Sequence, residues 1–304
     1  MKVLVVGLGT QGKKRIKFIS KNFVGSVDPK SSDATFSHIT DAPVNSYDAV
    51  FLCVPDSEKI ELIKYCILHK KHILVEKPLI TKKPLGLKYL QNEANLANIL
   101  IYTAYNHRFE PHIKTVKEIL DKYEIGRIFS IKMVYGNGTA QLVKASEWRD
   151  HGMGVISDLS PHLLDTLAYW IGIKKIKDLF LFSHNFETSA PDHAVVHFNM
   201  DNIAVELEMS LCMWRNTFNC DIFGEKGSIH ISSLCKWGPS ILTIRKRVLP
   251  SGIPNEKISE LEIQDPTWGL EHEHFFNQIK NKHETDFTTD AWIANLLGEM
   301  ESML

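Results

Sequence analysis

The stretch VLVVGLGTQG, residues 3–12, decides how the first part of this chain folds. Four apolar residues with strong strand propensity lead directly into glycines spaced G-x-G-x-x-G, and a basic helical pattern follows at once. In that order each glycine has its own use: Gly7 permits a tight turn, Gly9 lets the backbone approach a pyrophosphate, and Gly12 allows the helix to pack closely on the strand. The stretch therefore predicts a strand, a turn and a helix whose N-terminus faces a bound dinucleotide.

A carboxylate follows the next apolar run, FVGSV, at the distance that such a site needs. Asp28 stands 21 residues after Gly7, where a carboxylate accepts hydrogen bonds from the adenosine ribose and repels the extra phosphate of NADP. The sequence therefore favours NAD, with NADP as the alternative because Lys30, Ser31 and Ser32 offer partners for a phosphate. The other interpretation of the glycines is a turn that binds nothing. The residues predicted to bind the cofactor at this end of the chain are Gly7, Gly9, Thr10, Gln11, Gly12 and Asp28.

Apolar runs alternate with helical patterns throughout the first third of the chain. Runs of Val, Ile and Leu separated by helices are typical of a parallel sheet that is covered on both faces. Two of these runs, YDAVFLCVP and HILVEKP, end in Cys53, Val54 and Pro55 and in Glu76 and Lys77. Because the carboxyl ends of parallel strands meet at one edge of a sheet, these residues are predicted to lie at the ligand crevice. Cys53 is interpreted there as a small apolar residue and not as a nucleophile.

The pattern changes after about residue 125, where strand-like and often alternating segments follow one another with short turns. These segments are RIFSIKMVYG, DLFLFSHNF, HAVVHFNM, NIAVELEMSL, FNCDIFG, GSIHIS and SILTIRKRVL, and the chain ends in helical patterns at LEHEHFFNQIKNK and AWIANLLGEMESML. The prediction is an α/β chain with an N-terminal Rossmann dinucleotide-binding domain over 1–105, followed over 106–304 by an α+β domain with a large open, mostly antiparallel sheet. In one version of this prediction the C-terminal helices pack back on the first domain.

Three polar residues in DLSPHLLD, residues 158–165, form a second candidate site. Asp158, His162 and Asp165 are spaced i, i+4 and i+7, so in one continuous helix they line a single face. In a second geometry Ser160 is the N-cap and Pro161 the first helical residue, which leaves His162 at the positive end of the helix and keeps it neutral. Both geometries put a carboxylate beside an imidazole, as a general base requires. A structural histidine in an apolar helix is the other interpretation.

The sequence predicts no metal site. The EHEH segment at residues 271–274 offers ligand types, but consecutive positions scatter around a helix, so a solvated face is predicted there. The five cysteines form no C-x-x-C pair, which favours reduced thiols over a disulfide framework or a structural zinc site.

Composition excludes two classes of partner. The net charge of -1 gives no basic surplus for a nucleic-acid backbone, and no segment reaches the roughly 18 apolar residues that a membrane span needs. With 44% hydrophobic and 23% charged residues, the 304-residue chain has the composition of an ordinary globular protein with two domains. We expect a cytoplasmic protein.

Taken together, GLGTQG, the CVP turn, EKP, YNHRF, WRD and D-x-x-x-H-x-x-D resemble the Gfo/Idh/MocA oxidoreductases, the glucose-fructose oxidoreductase and inositol dehydrogenase group, over essentially the whole chain. The resemblance implies a Rossmann domain followed by a domain whose open sheet often forms dimer or tetramer contacts. It also implies NAD(P)-dependent oxidation or reduction of a sugar or polyol carbon. A sugar or nucleotide-sugar substrate is therefore expected, with a homodimer or homotetramer formed through the open sheet.

The resemblance assigns roles to individual residues of these motifs. Lys77 of EKP is implied as the catalytic lysine that meets substrate and nicotinamide ribose, with a cis peptide bond at Pro78, and Glu76 as a cofactor-binding residue. His162 is implied as the proton acceptor and Asp158 as its partner. Asn106 of YNHRF is expected to bind the cofactor, and the substrate-binding residues expected are Lys77, Arg108, Trp148, Arg149, Asp158, His162 and Asp165.

The chain also departs from the family pattern. The turn that commonly reads T-P-N-x-x-H is here Val54 to Lys59, VPDSEK, without the Asn and the His. Ser160 replaces the Gly of D-x-G-x-H, and a proline stands beside the histidine. The segment between FVGSV and YDAVFLCVP is short for a full strand–helix–strand unit.

These residues predict hydride transfer with a base and a cation at the reacting oxygen, for which His162 and Lys77 are the candidates. Arg108, Arg149 and Lys144 suggest an anionic group on the substrate, and with it a nucleotide-linked or acidic sugar of surface polysaccharide biosynthesis. Two other functions stay open: a non-catalytic regulator that senses a dinucleotide, and a lyase or glycosidase that uses NAD transiently. The joint presence of Lys77, Asp158 and His162 favours the oxidoreductase.

Overall fold

The computed structural model describes residues 1–81, 85–146 and 149–304. Over these residues the chain divides into two compact units: Met1–Asn106 with Thr267–Ala294, and His107–Pro266 with Asn295–Leu304. We call them the first and the second unit. Residues 267–294 thus belong to the first unit, whereas the sequence placed 106–304 in one domain and gave the return of the C-terminal helices as a variant.

The described residues form thirteen strands and eight α-helices. The strands are β1 (Val3–Val6), β2 (Phe23–Val27), β3 (Ala49–Leu52), β4 (His72–Glu76), β5 (Ile101–Ala104), β6 (Ile128–Gly136), β7 (Ile176–His184), β8 (His193–Met200), β9 (Ile203–Ser210), β10 (Thr217–Gly224), β11 (Gly227–Ser232), β12 (Ser240–Lys246) and β13 (Glu256–Leu261). The helices are α1 (Thr10–Phe18), α2 (Asp56–Leu68), α3 (Gly86–Leu96), α4 (Pro111–Asp121), α5 (Ala140–Lys144), α6 (Val155–Ile171), α7 (Thr267–Lys280) and α8 (Thr288–Glu301).

The sheet of the first unit is parallel throughout, in the order β2-β1-β3-β4-β5. Successive side chains of β1 point to opposite faces. Val3 and Val5 pack in a cluster with residues of α1 and α7, while Leu4 and Val6 pack in a cluster with residues of α2 and α3. Burial on both faces explains why the strands are apolar at every position, and confirms the predicted parallel sheet.

A short connection replaces one helix of the Rossmann pattern. Between β2 and β3 the chain forms only two 3₁₀ turns, at Ile39–Asp41 and Val44–Ser46. An isolated parallel bridge joins Val27 of β2, an edge strand of the sheet, to Phe36. The short segment noted in the sequence therefore lacks the helix of a full strand–helix–strand unit. As a result, no helix follows β2 at the edge of the sheet where Asp28 lies.

The second unit is built on an eight-stranded sheet in the order β13-β12-β11-β10-β6-β9-β8-β7. All neighbours are antiparallel except β6 and β9, which are parallel. Helix α6 packs on β6, β8 and β9, and its Trp170 donates a hydrogen bond to the carbonyl of Ile113 on α4 at 2.9 Å. The mostly antiparallel sheet confirms the prediction. None of the helices in the described ranges is long and apolar enough to cross a membrane.

Candidate active site

The glycine turn between β1 and α1 has free space beside one of its three glycines. Gly7 has φ of +92°, and a Cβ atom there would stand 2.3 Å from the carbonyl oxygen of Cys53. A Cβ at Gly12 would stand 1.8 Å from the carbonyl oxygen of Gly7. At Gly9, by contrast, no described atom beyond Gly9 and its two chain neighbours lies within 4 Å of the position that a Cβ would take. The fold itself therefore requires Gly7 and Gly12, whereas Gly9 leaves room for a group that is not part of the protein.

Asp28 is tied to the same turn. Its carboxylate accepts hydrogen bonds from the backbone N–H groups of Leu8 and Lys30, both at 2.8 Å. Partial burial opposes ionisation, but these bonds and one from Ser31 outweigh it and lower the pKa of Asp28 below its ordinary value. Asp28 is thus a fixed, ionised acceptor at the end of β2. Thr10 and Gln11, also predicted to bind the cofactor, are exposed in the first turn of α1.

Cys53 begins the turn after β3, and Val54 and Pro55 lead from it to α2. Burial and the neighbouring Glu76 carboxylate raise the pKa of the Cys53 thiol far above its ordinary value. Its Sγ lies 4.0 Å from Oε1 of Glu76. A thiol held in its protonated form is a poor nucleophile, which supports the interpretation of Cys53 as a small apolar residue.

The EKP motif lies at the carboxyl end of β4. Glu76 is the last residue of the strand, Lys77 is half-buried, and the peptide bond between Lys77 and Pro78 is cis. Because β3 and β4 are parallel neighbours, Glu76 and Cys53 end up side by side at the edge of the sheet. The first unit therefore brings together the glycine turn, the turn after β3 and the EKP motif, as the parallel order predicts.

Glu76 is part of a network of charged side chains centred on the buried Arg15. Arg15 of α1 donates to Glu76 at 2.6 Å, to Glu271 at 2.9 Å and to Nε2 of His272 at 2.8 Å, and its guanidinium lies over the ring of Trp268. Burial and the positive charge of Arg15 lower the pKa of His272 to about 3, so its neutral ring accepts the hydrogen bond.

The solvated face predicted for EHEH is therefore wrong at Glu271 and His272, which are both buried. The sequence held one signal of this. Phe275 follows Glu271 by four residues, so both lie on the same face of α7, and that face packs against α1. Asn106 is buried too, and its amide donates to the hydroxyl of Thr267, the first residue of α7, at 3.0 Å.

In the second unit, D-x-x-x-H-x-x-D lies on one continuous helix. Helix α6 runs from Val155, with Gly154 as its N-cap, and contains Pro161 in its interior. The N–H of Val155 donates to the carbonyl of Pro191 at 2.8 Å, and a Cβ at Gly154 would stand 2.1 Å from that carbonyl oxygen. The second geometry, with Ser160 as the N-cap, is therefore wrong, because the packing against Pro191 starts the helix earlier. His162 lies mid-helix and not at its positive end.

Asp158 and His162 lie on one face of α6 with different surroundings. The carboxylate of Asp158 pairs with Arg149 at 3.2 Å, and both side chains are partly exposed. The ring of His162 stacks on that of His107 at 4.4 Å and meets the ring of Tyr135 edge-on at 5.6 Å. Burial, assisted by the charge of Asp158, raises the pKa of Tyr135. The imidazole of His162 thus packs against two buried rings, which also contact each other at 5.1 Å, and this packing limits its rotation.

Asp165 and Arg108 form an ion pair on the same face. The single Nε–H of Arg108 is shared between the two carboxylate oxygens of Asp165, at 3.0 and 2.9 Å, and Nη2 donates to the same carboxylate at 2.5 Å. The Asp165 side chain is fully buried, and burial raises its pKa although the Arg108 charge opposes the shift. The pair holds the guanidinium in place while 28% of the Arg108 side chain stays exposed.

Residues 1–104 match the Gfo/Idh/MocA oxidoreductase family with its NAD-binding Rossmann fold, and residues 113–230 match the C-terminal domain of that family. The chain belongs to the Gfo/Idh/MocA family. It is 27% identical over 191 residues to the uncharacterized oxidoreductase YrbE of Bacillus subtilis, which covers 60% of this chain and 54% of that protein. It is 24% identical over 133 residues to a myo-inositol 2-dehydrogenase of Thermotoga maritima, which covers 44% of this chain and 38% of that enzyme.

These matches span about half the length of the curated relatives, or less. A solved structure extends the likeness of the fold to the whole chain. The UDP-N-acetylglucosamine 3-dehydrogenase of Acidithiobacillus ferrooxidans superposes with a TM-score of 0.80 at 17% identity, over 100% of this chain and 97% of that one.

Sequence reasoning missed two residues, His107 and Asp150, that contact or support the candidate site. His107 lies between Asn106 and Arg108 in YNHRF and stacks on His162, yet only its neighbours were singled out. Asp150, the last residue of WRD, accepts the N–H groups of Ser189 and Ala190 at 2.7 and 2.8 Å. These two bonds fix the loop that contains Pro191, whose carbonyl accepts the N–H of Val155 at the start of α6. Trp148 lies outside the described residues.

Proposed function

We propose that this protein is an NAD-dependent dehydrogenase that moves a hydride between nicotinamide and a secondary hydroxyl or ketone carbon of a sugar or polyol. The observation that carries the proposal is the glycine turn, in which the fold requires Gly7 and Gly12 but leaves the space at Gly9 free. The ionised Asp28 beside it is the acceptor that an adenosine ribose needs. Family membership and the inositol dehydrogenase among the relatives support the same chemistry.

The proposed mechanism asks two things of the protein. Bound NAD supplies the hydride acceptor. Loss of a hydride from a carbinol leaves negative charge on its oxygen, so a base must take the hydroxyl proton and a cation must stabilise the charge. We assign the first task to the imidazole of His162, whose ring is held by His107 and Tyr135. We assign the second to the ammonium of Lys77 at the end of β4.

The surroundings of the arginines bear on the substrate class. Arg108 is paired with Asp165 and Arg149 with Asp158. Because each positive charge already faces a carboxylate, an uncharged sugar or polyol fits these residues better than an acidic sugar. A nucleotide sugar remains within the proposal, since the similar structure from Acidithiobacillus ferrooxidans is that of a UDP-N-acetylglucosamine dehydrogenase. We keep surface polysaccharide biosynthesis as the proposed setting of a nucleotide-sugar reaction.

One experiment tests the proposed function. The protein is incubated with NAD, and separately with NADP, together with a panel of inositols, free sugars and nucleotide sugars, and absorbance of the reduced nicotinamide is followed with product analysis. Reduction of NAD in step with formation of a keto product is expected. Product without net cofactor reduction would instead indicate a lyase or glycosidase. Tight binding of NAD without any product would indicate a sensor.

The proposal also covers location and assembly. All five cysteines are free thiols, as expected in a reducing compartment, and we propose a cytoplasmic protein. We further propose a homo-oligomer formed through the face of the eight-stranded sheet that is not covered by α6. Phe180 and Phe182 are exposed on that face, which favours its burial in an interface.

A further inference from the structure

A buried lysine on α2 has no part in the chemistry proposed above. The side chain of Lys59 is only 3% exposed, although the helix it belongs to lies on the surface of the sheet. An ammonium group taken out of water is unfavourable unless oxygen atoms surround it. Lys59 therefore needs partners, and their identity shows what the residue does.

The partners of Lys59 lie on both sides of Lys77. Its Nζ donates to the carbonyl oxygen of Glu76 at 2.6 Å and to that of Pro78 at 2.7 Å. The third partner is the carboxylate of Asp56, one turn earlier on α2, at 2.6 Å. Burial lowers the pKa of Lys59, while the charge of Asp56 opposes that shift. One ammonium thus binds the main-chain carbonyl of the residue before Lys77 and that of the residue after it.

The hydrogen bonds from Lys59 fix a segment of main chain that lies beyond the end of β4. Strand pairing to β3 and β5 ends at Val75 and Glu76, so the main chain at Lys77 and Pro78 has left the sheet. Pro78 has no N–H to donate. With both flanking carbonyls bound to one buried group, the Cα–Cβ direction of Lys77 is set by α2 and not by the sheet alone.

We propose that Lys59 is a positioning residue that orients Lys77 for the reaction. The proposal rests on the proposed function, in which Lys77 stabilises charge on the reacting oxygen. Lys59 stands where the family turn T-P-N-x-x-H commonly has its histidine. This chain has a longer, charged donor at that position, and the donor reaches two carbonyls at once.

The test compares Lys59→Met with Lys64→Met. Lys64 lies on the same helix and forms an ion pair three residues away, with Glu61 at 2.7 Å, but its side chain is 50% exposed. We expect Lys59→Met to lower kcat about 10²-fold, because a misplacement on the order of 1 Å at a reacting group has an effect of that size. The Kd for NAD, measured by fluorescence titration, should change less than about threefold, since the glycine turn and Asp28 are untouched. Lys64→Met should match the wild type in both measurements.

Two further readouts separate positioning from a loss of folded protein. With substrate deuterated at the reacting carbon, misplacement of Lys77 slows hydride transfer, so the isotope effect on kcat should rise in Lys59→Met. A smaller folded fraction would lower the rate and leave the isotope effect unchanged, which would overturn the proposal. Lys59→Gln keeps two N–H donors without the charge. It should recover part of the lost kcat, and it replaces Lys59→Met if that variant does not fold.

Amide hydrogen exchange tests, without any turnover, whether Lys59 holds the main chain on both sides of Lys77. Exchange at Lys77 and Leu79 should be faster in Lys59→Met than in Lys64→Met and the wild type. If the wild type turns over none of the panel, the proposed function fails, and the exchange result alone then decides whether Lys59 holds this segment. Unchanged exchange, or faster exchange with normal kcat, would refute the role of Lys59.

Discussion

At the scale of single residues, the candidate site consists of polar groups whose state is set by a few close neighbours. Asp28 is kept ionised by backbone N–H groups, and Cys53 is kept protonated by burial and Glu76. His162 is held by two rings. In each case at least one neighbour comes from a distant part of the chain, so the motif alone identifies the residue but not its state.

Replacement of Lys77 by methionine tests its assignment as the charged group at the reacting oxygen. Methionine has a similar length but no ammonium, so turnover should fall about 10²- to 10⁴-fold while NAD affinity is largely kept. Steady-state kinetics and a fluorescence titration with NAD measure the two quantities. Near-normal turnover of Lys77→Met would remove Lys77 from the mechanism.

His272 makes stability depend on pH. Its folded-state pKa of about 3 lies below the value of about 6.5 for an unfolded chain. Its contribution to stability is therefore fully present above about pH 6.5. As the pH falls from there towards 3, the unfolded chain binds a proton that the folded protein does not, and the free energy of unfolding decreases by about 1.4 kcal/mol per pH unit.

The check is urea unfolding from about pH 7 to about pH 4 for the wild type and His272→Gln, across the window that the two pKa values define. The glutamine oxygen still accepts the hydrogen bond from Arg15 but does not titrate. The unfolding free energy of the variant should therefore fall less steeply, by that one-proton slope. Parallel curves for the two proteins would contradict the proton balance assigned to His272.

At the scale of elements, Arg15 joins three of them in the first unit. Its guanidinium binds Glu76 at the end of β4 and Glu271 on α7, while its own backbone lies on α1. The carboxylate of Glu271 is fully buried, so loss of its ion pair with Arg15 would be unfavourable. The network therefore stabilises the packing of α7 and, through Glu76, the start of the EKP motif.

Arg15→Met should lower the free energy of unfolding by about 3–5 kcal/mol, because it leaves buried carboxylates without their counter-charge. Lys17→Met, on the same helix but exposed, is the matched control and should change it by less than about 0.5 kcal/mol. Denaturant unfolding of the three proteins gives the comparison. Equal losses in the two variants would mean that the network adds nothing beyond general helix stability.

Elements were predictable where a side-chain period marked them. Strands were predicted correctly from the alternation of β8 and β9 and from the apolar runs of β1 and β3. A strand buried on one face alternates apolar and polar residues, and a strand buried on both faces is apolar throughout. Strand β13, EKISEL, was not predicted, because nearly all of its residues are exposed and it shows no such period. The start of α6 was ambiguous, since Pro161 favours a helix start, and only the contact with Pro191 decided it.

At the scale of the whole molecule, the open face of the second sheet exposes aromatic side chains to solvent. Phe180 and Phe182 of β7 are 59% and 61% exposed. On that face Lys132 forms an ion pair with Glu206 at 2.5 Å. A surface with exposed aromatic rings and neutralised charges favours self-association over binding of a charged ligand.

Replacing both Phe180 and Phe182 by aspartate should reduce the molar mass of the assembly, because the introduced charges would be buried in the proposed interface. Size-exclusion chromatography with light scattering gives the mass. Leu68→Asp, at a residue of α2 that is 76% exposed, is the control and should keep the wild-type mass. A wild-type protein that elutes as a monomer would show the expected oligomer to be wrong.

The discontinuous first unit has a consequence for the order in which the protein is made. Residues 107–266 separate its two parts, so the ribosome completes nearly all of the second unit before α7 emerges. Until then the face of the parallel sheet with Val3, Val5 and Phe51 lacks the cover of Phe275, and Arg15 lacks Glu271. Contacts that are so distant along the chain form late, and the uncovered apolar face is open to aggregation in the meantime. The nascent chain therefore needs protection for longest at the glycine-turn strand, because the helix that covers it follows more than 250 residues later.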